Sequence, residues 1–486
     1  MSAIHTKSTK NRIYISQEDN FSSNFGDVYR SSAIFWFQSD EDIKSTISIT
    51  NYWKYKNNLD VAVLLNIRDM EGNLLSRKPI AFDDSEVFNY TLNETFEGSV
   101  EVEVFGNQNL KIPYAAVMAV YECADSITMV HSYSRLYSQH EIEDKKTITI
   151  GEEGCWTLRD NETAKSFAVF HNGCGHLRKQ VAVLKAQNHL GCEKKVEIPL
   201  DELKPFQTMK IYPSDHIEGL AEWLNNEPGY AKISFNTKDA FTRLLIGNES
   251  FDRKQMQVTH SNFDYRVHAT DSIRNKKPSG YFRTPSLNNH LIASELVVYP
   301  DSDEGSYRVK NLDLEQQFSS GVPWSYRYID TKRRSLEFTR TDSILPRRIV
   351  TALRLYPADK ISLPAECSLG IVHEKVPEKR FSWMLVSSKF NSEISLVNYT
   401  EVYGKAEGES ILALKLYSAL IKKPLTKQLK LKDFSEVGQI NIHDLFDVQE
   451  HLGDDFGYLT IWSQYPGASF FSTVQKKQSI SIEHAF

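Results

Sequence analysis

Two kinds of residue in this 486-residue chain could do chemistry by type and spacing. One is histidine grouped with cysteine or repeated with itself, and the other is arginine beside aromatic rings. The tightest group is His171, Cys174 and His176, followed by His189 and Cys192. Two His-x-x-Cys pairs supply the ligand types of a tetrahedral zinc centre. The residues between them, Val181 to Ala186, alternate as a strand does, so the two groups fall at its opposite ends. About ten residues at about 3.3 Å each separate them by roughly 30 Å, whereas zinc bonds are about 2.0–2.3 Å long. One strand does not bridge that distance, and the same length argues against a Cys174–Cys192 disulfide. A glycine-rich turn is the plainer account of 171–176, and no metal or other cofactor is expected.

A second set is spread along the chain. Ile127-Thr-Met129-Val-His131, Met256-Gln-Val258-Thr-His260 and Ile480-Ser-Ile482-Glu-His484 each alternate and end in histidine. Alternation puts each histidine on the apolar face of its strand. There it can act as a base or ligand, or sit at a core rim and bond a turn backbone, as buried polar groups must. Repetition favours the structural role for His131, His260 and His484, because one chain seldom needs the same catalytic site three times. A site using all three would require the units to close into a ring, so three separate rims are expected.

The third set is Arg333, Arg334, Arg347 and Arg348, preceded by Trp324, Tyr326 and Tyr328. Guanidinium forks match carboxylate or phosphate groups, and arginine with aromatic rings suits a ligand surface for anionic glycans or partner proteins. The plainer account is a solvated face paired with Asp330, Glu337 and Asp342. Gly-x-Ser-x-Gly, phosphate-cradling and His-Glu-x-x-His motifs are missing. Glycoside-active sandwiches rely on scattered carboxylates, so a site in or beside 271–375 keeps an enzyme of carbohydrate or surface-polymer metabolism as the alternative.

The elements that must position these residues also recur. Before each repeated histidine stands a glycine that opens a period-two run: Gly98, Gly229 and Gly457. A second apolar run lies between them, at 115–121, 242–247 and 469–474. Three strands therefore close each unit. A glycine turn at Gly72 in the first unit is matched by Gly191 in the second. A short helix capped by Ser214 or Asp215 precedes Gly229, and Ile442 to Phe446 holds the same place before Gly457. Short strands, glycine turns and units of about 110 residues predict an all-β chain of tandem antiparallel β-sandwiches with few short helices. The expected division is a polar tail over 1–28, repeats over 29–145, 146–270 and 376–486, and a diverged or inserted unit over 271–375.

Composition is that of a globular protein, 41% hydrophobic and 25% charged. A net charge of −6 argues against nucleic acid as partner. No stretch reaches the roughly 18 apolar residues of a membrane span. Five cysteines without framework spacing, and no leader-like apolar run, predict a soluble cytoplasmic protein. The functional expectation is a non-enzymatic binding or scaffold protein whose ligand is a carbohydrate or a protein. Beside the enzyme stands a second alternative, a structural subunit of an assembly.

Overall fold

The computed structural model describes residues 4–7, 12–15, 29–82, 85–107, 117–131, 133–136, 150–236, 240–263, 279–285, 291–299, 305–311, 314–328, 335–343, 345, 349–359, 361–372, 375, 380–406, 408–431 and 437–485. The chain is all-β with a few short helices. In the stretch expected as a tail, Ile4–Lys7 and Arg12–Ile15 pair as a small antiparallel hairpin.

From Tyr29 the chain lays down eight strands: Tyr29–Ser39, Ile43–Thr50, Ala62–Asp69, Leu74–Ile80, Val87–Thr91, Phe96–Gly106, Val117–Cys123 and Ile127–His131. Counted by position, one sheet runs first, sixth, third, fourth, and the other fifth, second, seventh, eighth. One pairing, Ser39 with Lys44, joins the two at a corner. The same two sheets, in the same order, recur three times. Unit two runs from strand Ile150–Leu158 to Met256–His260, unit three from Ser279–Arg283 to Ala365–Leu369, and unit four from Arg380–Ser387 to Ser479–His484. Unit three lacks the repeated glycine and histidine yet keeps the full strand order.

The repeated signals have local causes. Gly72 and Gly191 turn the third strand of their units into the fourth with φ of +84° and +81°, a region that favours glycine. Gly457 opens the sixth strand of unit four. A Cβ there would lie 2.5 Å from both Leu452 and the Tyr417 carbonyl oxygen, and one at Gly229 would lie 2.4 Å from Leu224. Leu224 and Leu452 come from the short helices Leu220–Leu224 and Val448–Leu452, which lead into those strands. The first helix starts after Gly219, while Ser214 and Asp215 fall in the 3-10 turn Pro213–Asp215. The second is capped by Asp447, which accepts from the Glu450 N–H.

Each sandwich buries an interior of alternating apolar residues, and the outer sheet faces are apolar too. Burying them drives the units together. Unit two lays its second sheet on the first sheet of unit one, where Trp36 meets Phe167 with centroids 5.8 Å apart. Unit three repeats this on unit two through Tyr299 and Tyr230, at 5.6 Å. Val397, Phe471, Ile480 and Ile482 of unit four join the core of unit three. Met118, Val120 and Met129 of unit one pack against Trp383, Leu385 and Tyr458 of unit four. The four units thus close into a ring. A linear repeat array needs polar caps on its terminal units, and this arrangement removes both ends.

Candidate functional site

Ring closure gathers the eighth strands. Ile127–His131 lies beside both Met256–His260 and Ser479–His484, and Ala365–Leu369 lies beside the latter two. Polar bonds join them across units. Thr128 Oγ1 accepts from the Val258 N–H at 3.0 Å, Ser481 Oγ accepts from the Met129 N–H at 2.9 Å, and Gln257 Nε2 donates to Ser479 Oγ at 2.9 Å.

Three of these strands end in histidine, so the histidines meet. The rings of His131 and His260 stand edge to face with centroids 4.5 Å apart, and those of His131 and His484 are 5.2 Å apart. The expectation of three separate rims is overturned, because the ring turns each strand end toward one axis. Glu483, which sequence reasoning passed over, lies among them. Its Oε1 is 3.2 Å from His131 Nδ1 and 2.9 Å from His484 Nδ1. Its only signal was a charge inside an otherwise apolar alternation.

Glu483, His131 and His260 are 1–3% exposed, whereas the His484 side chain keeps 28% of its surface. His260 Nδ1 lies 2.8 Å from the Ser261 carbonyl oxygen, which fixes the proton on that nitrogen. Its Nε2 then carries a lone pair, buried and without a hydrogen-bond partner among the described residues. Burial pushes His131 down to about 4, against the pull of Glu483. Burial, with His131 beside it, takes His260 well below its ordinary value. Both rings are neutral at pH 7. Burial alone would raise the Glu483 carboxyl, but His131 and His484 outweigh it and hold it below the ordinary carboxylate range. Neutral imidazoles around a carboxylate form a donor set able to hold protons or a metal ion.

The other predicted groups do not converge. His171 is buried with Tyr133 Oη 2.9 Å from Nε2 and Thr208 Oγ1 2.9 Å from Nδ1, so both ring nitrogens are engaged. Cys174 and Cys192 are exposed and in no disulfide, on opposite sides of strand Gln180–Gln187 in the sequence. His176 faces Glu202 at 3.3 Å on the surface. Arg333, Arg334, Arg347 and Arg348 lie outside the described residues. Trp324, Tyr326 and Tyr328 share strand Trp324–Tyr328. Trp324 stacks on Phe318 at 4.8 Å, and Phe318 on Tyr307 at 5.3 Å, a ladder that continues the core of unit three.

That strand also borders a groove of about 480 Å³ between units two and three, lined by Arg159, Asn161, Arg327, Tyr356, Ile361 and Ser362 among others. Arg327 lies over the Tyr356 ring at 4.2 Å. Beneath the groove Arg354 donates to Glu295 at 2.9 Å, Glu366 at 3.1 Å and Thr157 at 2.9 Å, and the Tyr299 hydroxyl donates to Glu366. Both carboxylates are thereby engaged. Arg159 Nη2 is buried with no hydrogen-bond partner among the described residues. Burial, then the neighbouring Arg354, lowers the Arg159 pKa. Arg327 was legible between Tyr326 and Tyr328, but nothing in its own stretch marks Arg159.

No family model matches the chain, and no curated protein does. A solved structure of a tetra-tandem repeat in the extending region of a large adhesion protein aligns over 88% of this chain and 91% of its own, at 7% identity and a TM-score of 0.09. So slight a likeness carries no argument about fold or function. Among the described residues, no helix is long and apolar enough to cross a membrane.

Proposed function

We propose that the protein is a non-enzymatic binding platform, with four sandwiches over 29–145, 146–270, 271–375 and 376–486 fused into a rigid ring. Its ligand is a carbohydrate carrying anionic groups, received in the groove between the second and third units. The observation that carries this reading is Arg159 at a groove wall, whose buried Nη2 has no hydrogen-bond partner among the described residues. An unpaired buried donor is costly, and an anionic oxygen supplies the missing acceptor. Arg327 on Tyr356 adds a second cation, and Ile361, 79% exposed, adds an apolar contact for a sugar face. Hydrolysis by paired carboxylates needs one raised acid and one free base. Glu295 and Glu366 are instead tied to Arg354, which favours binding.

The test is calorimetric titration of the full chain with a sulfated hexasaccharide and, separately, with polyglutamate. The sulfated sugar is expected to bind, more weakly at high salt, and Arg159→Ala or Arg327→Ala should each weaken it by at least about tenfold. Binding of polyglutamate alone would point to an acidic protein partner instead. Affinity indifferent to both substitutions would contradict the reading.

A further inference from the structure

We infer that His131, Glu483 and His484 form a site for one divalent transition-metal ion, which clasps unit four to unit one. The ligand atoms, one from each residue, all lie within 4.8 Å of one another. A metal with bonds of about 2.0–2.2 Å holds neighbouring ligand atoms about 2.9–3.5 Å apart. The separations of 2.9 Å and 3.2 Å from Glu483 Oε1 to the two Nδ1 atoms fall within that range. Two imidazoles with one carboxylate suit zinc, cobalt, iron, nickel or manganese, whereas calcium and magnesium take oxygen ligands.

Charge points the same way. Glu483 is buried, 3% exposed, beside His131 and His260, themselves 2% and 1% exposed. A divalent ion compensates the carboxylate at short range, where a neutral ring supplies only a hydrogen bond. On binding the ion each of the two rings carries its proton on Nε2 and presents the Nδ1 lone pair, so both imidazoles stay neutral and Glu483 supplies the negative charge. Independently, His260 presents a buried lone pair at Nε2 with no hydrogen-bond partner among the described residues, on a ring 4.5 Å from that of His131. Arg243 is the nearby fixed cation, acting on His131 and His260. Cys367, buried on the neighbouring strand, is not among the three residues whose ligand atoms lie within 4.8 Å of one another.

The placement is rigid. His131 ends a strand of unit one, Glu483 and His484 end a strand of unit four, and both strands are held by backbone ladders. The partial exposure of His484 leaves a side through which an ion and a water ligand can enter. The pair His176 and Glu202, at 3.3 Å but 63% and 65% exposed, has no third ligand among the described residues and serves as the control.

The experiment uses the full chain, stripped with a chelator and titrated with Co²⁺ while the visible d–d bands are recorded. One equivalent of Co²⁺ is expected, displaced by Zn²⁺ but not by Ca²⁺, with a rise in melting temperature. His484→Ala removes a partly exposed ring and leaves the fold, as circular dichroism will verify, and Glu483→Gln keeps the shape. Each should weaken Co²⁺ by at least about tenfold and abolish the thermal shift, while His176→Ala changes neither. Absence of stoichiometric uptake by the folded chain, uptake unchanged in either site variant, or displacement by Ca²⁺ would overturn the assignment.

Discussion

Tyr458 donates its hydroxyl to the Ser48 carbonyl oxygen at 2.7 Å. The first residue belongs to unit four and the second to unit one, so this buried bond marks the joint at which the ring closes. Beside it the Asn89 amide donates to the Phe456 carbonyl at 2.8 Å. At the other joints the polar partners differ: Thr157 with Tyr299 between units two and three, at 2.7 Å, and Arg283 with Glu401 between units three and four, at 2.6 Å. The joints share a geometry rather than a residue set, because each is an outer sheet face seeking cover.

The closing bond is open to test. Tyr458→Phe keeps the ring and removes the hydroxyl, and should lower unfolding free energy by about 1 kcal/mol. Urea denaturation at neutral pH measures it. An unchanged midpoint would show that the joint draws nothing from this bond.

Much of the fold was legible because strand alternation and glycine turns are local. Gly98, Gly229 and Gly457 and the histidine-ended strands mark three of the four units. The third unit was harder, since its closing strand Ala365–Leu369 ends in neither histidine nor a small polar pair, and only pairing shows its place. The meeting of His131, His260 and His484 was not legible. It depends on packing between residues more than a hundred positions apart, which period-two patterns do not encode. Glu483 and Arg159 escaped for the same reason: each is defined by neighbours from another unit.

Gly457→Ala should destabilise the protein. The new methyl would meet Leu452 and the Tyr417 carbonyl oxygen at 2.5 Å, and relieving such overlap typically costs about 1–3 kcal/mol. Thermal unfolding of the variant checks this, and a melting temperature equal to that of the parent would mean the sixth strand has room that these distances deny.

Acid should weaken the fold through buried histidine. Burial pushes His171 down to about 3 and His131 to about 4. Unfolded, each takes a proton near pH 6.5. Above that pH both states are neutral there and nothing is lost. Below it the unfolded chain binds protons that the folded chain refuses, so stability falls as pH drops from about 6.5 toward 4, by up to about 1.4 kcal/mol per unit for each ring. His171→Asn should flatten that slope between pH 6.5 and 5. Identical slopes for parent and variant would contradict the account.

Removing residues 480–486 takes away a strand whose Ile480 and Ile482 are buried against unit three. Those two side chains are worth about 1.5–3 kcal/mol each, a large part of a typical margin of about 5–15 kcal/mol. The shortened chain should be insoluble or melt well below the full one. A preserved melting temperature would show the strand to be dispensable.

The central claim is the closed ring, and small-angle X-ray scattering of the full chain in dilute solution addresses it most directly. A compact body of this length has a radius of gyration of about 23 Å, and the ring should scatter close to that value with a single-peaked distance distribution. Four sandwiches strung out in a line would give roughly twice that radius and a long-tailed distribution. That second result would undo the ring and, with it, the meeting of His131, His260 and His484.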